Sequence, residues 1–105
     1  MSEYVPTIEL SSLEPGSMRR IEVNGAPVLL VRQGDEVFAL HDRCTHEEFP
    51  LSDGWLDEHR LVCSYHGAQY NIKTGEALAL PAYENVKTWP VRVVNGIIEI
   101  NMKAD

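Results

Sequence analysis

The chain has 105 residues, 44% of them apolar and 24% charged, which is enough for one globular domain with a real core and too few for two. Its formal net charge of −7 argues against a nucleic-acid-binding role, because a polyanion demands a basic face. No unbroken aliphatic run exceeds the four residues of 28–31, which is strand-sized and far from the ~20 apolar residues of a membrane span, and there is no apolar signal core. The expected setting is therefore cytoplasmic, with neither membrane nor nucleic acid as a partner.

In chain order, the first predicted strands are residues 19–23 and 28–32, joined at Asn24-Gly25, followed by 37–40 after a turn at Gly34-Asp35. Residues 91–94 and 97–101 flank Asn95-Gly96 near the C-terminus. Asn-Gly pairs tolerate positive φ and are strong hairpin signals, and the runs between them are rich in the branched residues that pleated surfaces favour. No dozen-residue stretch carries a helical apolar period unbroken by Gly or Pro, so the expected class is all-β, a small antiparallel sandwich or barrel.

The middle, residues 41–83, is different: it is rich in Cys, His, Gly and Pro, with short strands expected only at 60–62 and 68–72. Asp57-Glu58-His59 and Lys73-Thr74-Gly75 read as tight connections. The region is poor in aliphatic residues, so packing within it is insufficient and something further must organise it.

The soft-ligand residues cluster there. Cys44-Thr45-His46 forms one pair, Cys63-Ser64-Tyr65-His66 the other, and sixteen residues lie between His46 and Cys63. Pro50 and Gly54 follow the first pair and Gly67 the second, so two short loops each offer one thiolate and one imidazole. Zinc fingers usually order a Cys pair before a His pair. An alternating Cys-His, Cys-His order instead suits a Rieske centre, in which one iron takes two Cys and the other two His. The alternatives are a zinc-stabilised structural module, a Cys44–Cys63 disulfide, which a reducing compartment disfavours, or a Cys63/His66 nucleophile–base pair, which leaves Cys44 and His46 unused.

With those loops in view, the chain resembles the Rieske ferredoxins of bacterial aromatic-ring dioxygenase systems. Cys44-Thr45-His46 and Cys63-Ser64-Tyr65-His66-Gly67 match the two cluster loops, and Leu51-Ser52-Asp53-Gly54 looks like the segment after the first. The resemblance implies one Rieske [2Fe–2S] cluster per chain. Cys44 and Cys63 would bind the inner iron, and His46 and His66 the outer iron. It also implies a single domain over residues 1–105, with an antiparallel β base at about 1–40 and 84–105 and a cluster-binding subdomain at about 41–83. A flavin-containing NAD(P)H-dependent ferredoxin reductase would be the electron donor, a terminal oxygenase the acceptor, and the carrier a monomer. The chain holds no Gly-rich nucleotide fingerprint and no evident second metal site, so it is expected to carry electrons rather than catalyse. The alternative within the same resemblance is the small subunit of another oxidoreductase, such as assimilatory nitrite reductase.

Departures from the high-potential respiratory relatives carry information. Those proteins have a further Cys in each loop, where this chain has Phe49 and Tyr65, and a Ser where it has Ala68; Tyr70 matches their sulfur-bonding Tyr. Fewer hydrogen bonds to cluster sulfur predict a potential in the lower part of the Rieske range of about −150 to +300 mV. The imidazoles would titrate with redox state, so the potential is expected to fall towards alkaline pH.

Other residues receive simpler readings. His41 and His59 are expected to be turn or surface histidines and Trp89 a core residue, while Trp55 either shields the first loop or serves a core or hairpin role. Leu80-Pro81-Ala82 resembles the Pro-containing loop that covers Rieske clusters. Asp42, Glu47, Glu48, Asp53, Asp57 and Glu58 are expected to form a solvated acidic rim that steers the cluster edge towards a basic partner.

Overall fold

The structure, a computed structural model, describes residues 3–43, 50–63, 67–79 and 84–103. The described residues form eleven strands in three antiparallel sheets: β1 (Tyr4–Glu9), β2 (Met18–Val23), β3 (Ala26–Gln33), β4 (Glu36–His41), β5 (Trp55–Asp57), β6 (Arg60–Val62), β7 (Gln69–Asn71), β8 (Ala77–Ala79), β9 (Thr88–Trp89), β10 (Val91–Val94) and β11 (Ile97–Asn101). The sheet orders are β1-β11-β10, β2-β3-β4-β9 and β5-β6-β7-β8. The only helical pieces among the described residues are single 3-10 turns at Leu10–Ser12 and Leu51–Asp53. None is long and apolar enough to cross a membrane. The all-β expectation holds.

The hairpins form where the turn chemistry asks for them. Asn24 and Gly25 have φ of 52° and 82°, and Asn95 and Gly96 have 51° and 77°, the paired positive values that match the right-handed twist of flanking strands. Pairing Val23 with Ala26 and Val94 with Ile97 then sets the whole register of each hairpin. The β5–β6 connection is less usual. It turns through Glu58 at φ 56°, a left-handed conformation that Glu seldom adopts.

The middle sheet carries the molecule. Leu29 and Val31 of β3 and Leu40 of β4 face a core shared with Leu61, Tyr70 and Ile72. Val28 and Leu30 of β3 and Ala39 of β4 face a second core with Ile98, Ile100 and Trp89. Residues 28–31 are unbroken in their apolarity because β3 is buried on both faces. The region expected to pack poorly by itself therefore rests on the β3–β4 face, which is part of what organises it.

Several strands were not legible beforehand. The β1 strand contains Pro6 and pairs with β11 at the far end of the chain, with Tyr4 opposite Asn101 and a bulge between Pro6 and Glu9. The β5 and β8 strands have only three residues each. The expected strand at 68–72 shortens to β7, because Asn71 already starts the turn: its Oδ1 accepts the Lys73 and Thr74 N–H groups and its carbonyl accepts the Gly75 N–H.

Candidate metal centre

Of the four sequence-predicted ligands, Cys63 is described, whereas Cys44, His46 and His66 lie outside the described residues. Phe49, Tyr65, Glu47, Glu48 and Leu80-Pro81-Ala82 lie outside them too. Among the described residues no three metal-ligating side chains come together.

Cys63 follows directly on β6 and is fully buried, in the core formed by Leu29, Leu40, Leu51 and Tyr70. Its N–H donates to the Ala68 carbonyl at 2.7 Å, so the chain leaves the sheet at Cys63 and is recaptured five residues later. Gly67, at φ 71°, supplies the left-handed turn before that recapture. Ala68 and Tyr70 are fully buried beside it. A thiolate here sits among apolar side chains, out of reach of water. That suits a soft metal–sulfur centre and disfavours a hydrated hard cation.

The limbs of the first loop are equally well anchored. His41 ends β4, and its N–H donates to the Lys87 carbonyl at 2.8 Å. The next residue, Asp42, is buried, which corrects its expected place in a solvated acidic rim. Its Oδ1 accepts the Ser52 N–H at 2.7 Å, and its Oδ2 accepts the Ser52 hydroxyl at 2.8 Å and an Arg20 N–H at 3.0 Å. The charge is buried because every one of these bonds compensates it. Nothing in the sequence points to Arg20, twenty-two residues upstream of Asp42, and Ser52 is marked there only as part of the Leu51-Ser52-Asp53-Gly54 segment, with no partner for its side chain.

Of the other expected rim residues, Asp53, Asp57 and Glu58 are exposed, but Asp57 and Glu58 lie at the β5–β6 turn against Gln33 at the end of β3, whereas Asp42 is tied to the start of β3 and Cys63 follows the other end of β6, so these two do not border the cluster loops. Trp55 stands on β5 with 53% of its surface exposed, so it is an outward-facing hairpin residue and not part of the core. Trp89 is buried as expected. His59 lies exposed in the β5–β6 turn. His41 is half-buried against Trp89, with ring centroids 6.0 Å apart in an edge-to-face arrangement. Burial, and then the Arg43 charge, hold its pKa below the ordinary histidine value.

Comparison with known proteins gives these features a family. The Rieske [2Fe–2S] domain model matches residues 3–90. The chain is 34% identical over 91 residues to the ferredoxin component of biphenyl 2,3-dioxygenase from Rhodococcus jostii, covering 87% of this chain and 85% of that one. It is 36% identical over 103 residues to the 3-phenylpropionate/cinnamic acid dioxygenase ferredoxin subunit of Photorhabdus laumondii, covering 97% and 95%. The solved ferredoxin of carbazole 1,9a-dioxygenase from Nocardioides aromaticivorans superposes with a TM-score of 0.90 at 31% identity, covering 94% of this chain and 97% of that one. A ferredoxin solved in complex with the oxygenase of carbazole 1,9a-dioxygenase superposes with a TM-score of 0.87 at 32% identity, covering 92% and 91%. The chain belongs to the Rieske [2Fe–2S] domain family, and its cofactor is a Rieske-type [2Fe–2S] cluster.

Proposed function

We propose that this protein takes single electrons from a flavin-containing NAD(P)H-dependent reductase and hands them to the terminal oxygenase of an aromatic-ring dioxygenase system, with Cys44 and Cys63 on one iron of its cluster and His46 and His66 on the other. The observation that carries the reading is the placement of Cys63. It is fully buried at the end of β6, and its N–H ties the second Cys-His loop shut at Ala68. The likeness to ferredoxin components over nearly the whole chain, one of them solved in complex with its oxygenase, supports the choice of acceptor.

The bound cluster supplies reversible one-electron chemistry. The chain's part is to hold, insulate and present it. Leu29, Leu40, Leu51 and Tyr70 keep water from the Cys63 side. The exposed carboxylate of Asp53, one residue past the Asp42–Ser52 bond, and the net charge of −7 favour a basic docking surface. In this reading the segment from 41 to 83 is the cluster-binding part, and the sheets formed by β1–β4 and β9–β11 are its support.

Iron and acid-labile sulfide analysis, with an EPR spectrum of the dithionite-reduced protein, tests the ligand set. Two irons and two sulfides per chain with a mixed His/Cys signature are expected; one zinc without sulfide overturns it. Stopped-flow reduction by the partner reductase tests electrostatic steering: the rate falls as salt rises, and a salt-independent rate removes steering from the account.

A further inference from the structure

We propose that Asp42 is a positioning residue for the cluster, closing the neck of the first cluster loop and tying it both to the β base and to the limb that leads to Cys63. The inference rests on the reading above, in which Cys44 and His46 are ligands. Nothing in the ligand motif itself requires an acid at this position.

The geometry is that of a clamp. Asp42 and Ser52 bracket residues 43–51, the stretch that contains both Cys44 and His46. One carboxylate oxygen takes the Ser52 backbone N–H at 2.7 Å, and the other takes the Ser52 hydroxyl at 2.8 Å. The two ends of the loop are thus joined by two bonds to one carboxylate. On the entry side, the Asp42 N–H donates to the Pro27 carbonyl at 3.0 Å, fixing the backbone to the start of β3. Arg20 of β2 adds an ion pair at 3.0 Å, with the Asp42 side chain wholly buried and the Arg20 side chain 45% exposed.

On the exit side the clamp reaches the second loop. Ser52 sits in the Leu51–Asp53 turn, and Leu51 is buried in the same core as Cys63. Gly54, two residues on, lies so close to the Val62 carbonyl that a Cβ would fall 1.9 Å from its oxygen. Val62 immediately precedes Cys63. A connected path therefore runs from Arg20 through Asp42 and Ser52 to the strand that delivers the second loop's thiolate. A buried carboxylate with both oxygens committed holds this neck more tightly than neutral hydrogen bonds would. Groups that orient metal-binding loops from outside the ligand set typically change metal affinity by about 10- to 100-fold when removed.

A graded series on the holoprotein tests the proposal. Asp42→Ala removes every bond. Asp42→Asn keeps an acceptor for the Ser52 N–H and loses the ion pair. Arg20→Met removes the ion pair alone, at a half-exposed side chain. Ile98→Ala, in the other core on the far side of the middle sheet, serves as a control of lowered global stability. The readouts are the rate at which visible absorption is lost in chelator, the EPR line shape of the reduced protein, and thermal stability. Asp42→Ala is expected to lose its cluster about 10- to 100-fold faster than wild type and faster than Ile98→Ala, with a changed line shape. Asp42→Asn is expected to fall between Arg20→Met and Asp42→Ala. Release no faster than that of Ile98→Ala, with an unchanged line shape, overturns the clamp. Should Asp42→Ala fail to fold, wild-type release rates in both Asp42→Asn and Arg20→Met overturn it equally. Iron and sulfide content of the wild type separates the two claims. Normal content with unaffected variants defeats the clamp alone, whereas absence of both elements defeats the ligand reading and the clamp together.

Discussion

Gln33, the last residue of β3, reaches the β5–β6 turn and holds His59 there: the Gln33 Oε1 accepts a hydrogen bond from the His59 Nδ1–H at 3.1 Å. The same side-chain amide donates from Nε2 to the Glu58 carbonyl. One side chain of the middle sheet thus grips two consecutive residues of the sheet that leads to Cys63. It does so at the turn where Glu58 is held in a left-handed conformation.

Replacing Gln33 with Ala should release this grip. Because the pair is exposed, the expected loss is about 0.5 kcal/mol, at the low end for a hydrogen bond. Urea denaturation checks the size. Faster amide exchange confined to residues 58–60 would show that the loss is local, whereas unchanged exchange there would show that the turn holds without Gln33.

Gly54→Ala should be far more damaging. The added methyl would fall 1.9 Å from the Val62 carbonyl oxygen and 3.2 Å from that of Leu51, and both are backbone atoms that cannot swing aside. A cost of about 3 kcal/mol is expected, at the upper end for overpacking. Since Val62 precedes Cys63, the cluster should also be lost more readily. The denaturation midpoint and the iron content of the purified variant measure the two effects, and a variant with wild-type values for both would show that the close approach relaxes freely.

Ala68→Ser tests how this site sets its potential. Ala68 is fully buried, and its carbonyl already receives the Cys63 N–H at 2.7 Å. A hydroxyl placed beside the cluster that donates to sulfur stabilises the added electron. One net hydrogen bond of about 1 kcal/mol corresponds to roughly 40 mV for a one-electron couple. Potentiometric titration should therefore show a rise of about that size. An unchanged or lower value would mean that the hydroxyl bonds elsewhere.

His41 makes stability depend on pH. Its pKa in the folded protein is lowered, first by burial and then by Arg43, with Arg20 and Lys87 adding to the effect and Asp42 opposing it. The unfolded chain therefore binds a proton more readily than the native one. Stability is full above the ordinary histidine pKa of about 6.5 and is lost as pH falls from there through the lowered folded value. Urea midpoints measured between pH 7.5 and 5 should decline, and His41→Gln should flatten that part of the decline. An equal decline in the variant would assign the pH dependence to other groups.

Much of this molecule was legible from local chemistry. Asn24-Gly25 and Asn95-Gly96 announce their hairpins because two consecutive positive φ values are a local demand that few other residue pairs meet. The cofactor was legible for a similar reason. Thiolates and imidazoles at loop spacing have few uses, and the family match gives the cofactor that this pattern suggested.

What escaped the sequence depends on distant partners. The β1 strand has no turn signal of its own and forms because β11 offers it a free edge some ninety residues later. Whether Asp42 faces water or the interior is decided by Ser52 and Arg20, neither of them a neighbour along the chain. Nor could the poverty of aliphatic residues between 41 and 83 reveal how the region packs, since Leu51, Leu61 and Ile72 complete a core whose other half is β3 and β4. The sequence by itself determined the donor chemistry and the local turns, because each is set by residues adjacent in the chain. Only the tertiary structure decided which carboxylate is buried as a clamp and which remain at the surface, because burial is settled by what arrives from elsewhere in the fold.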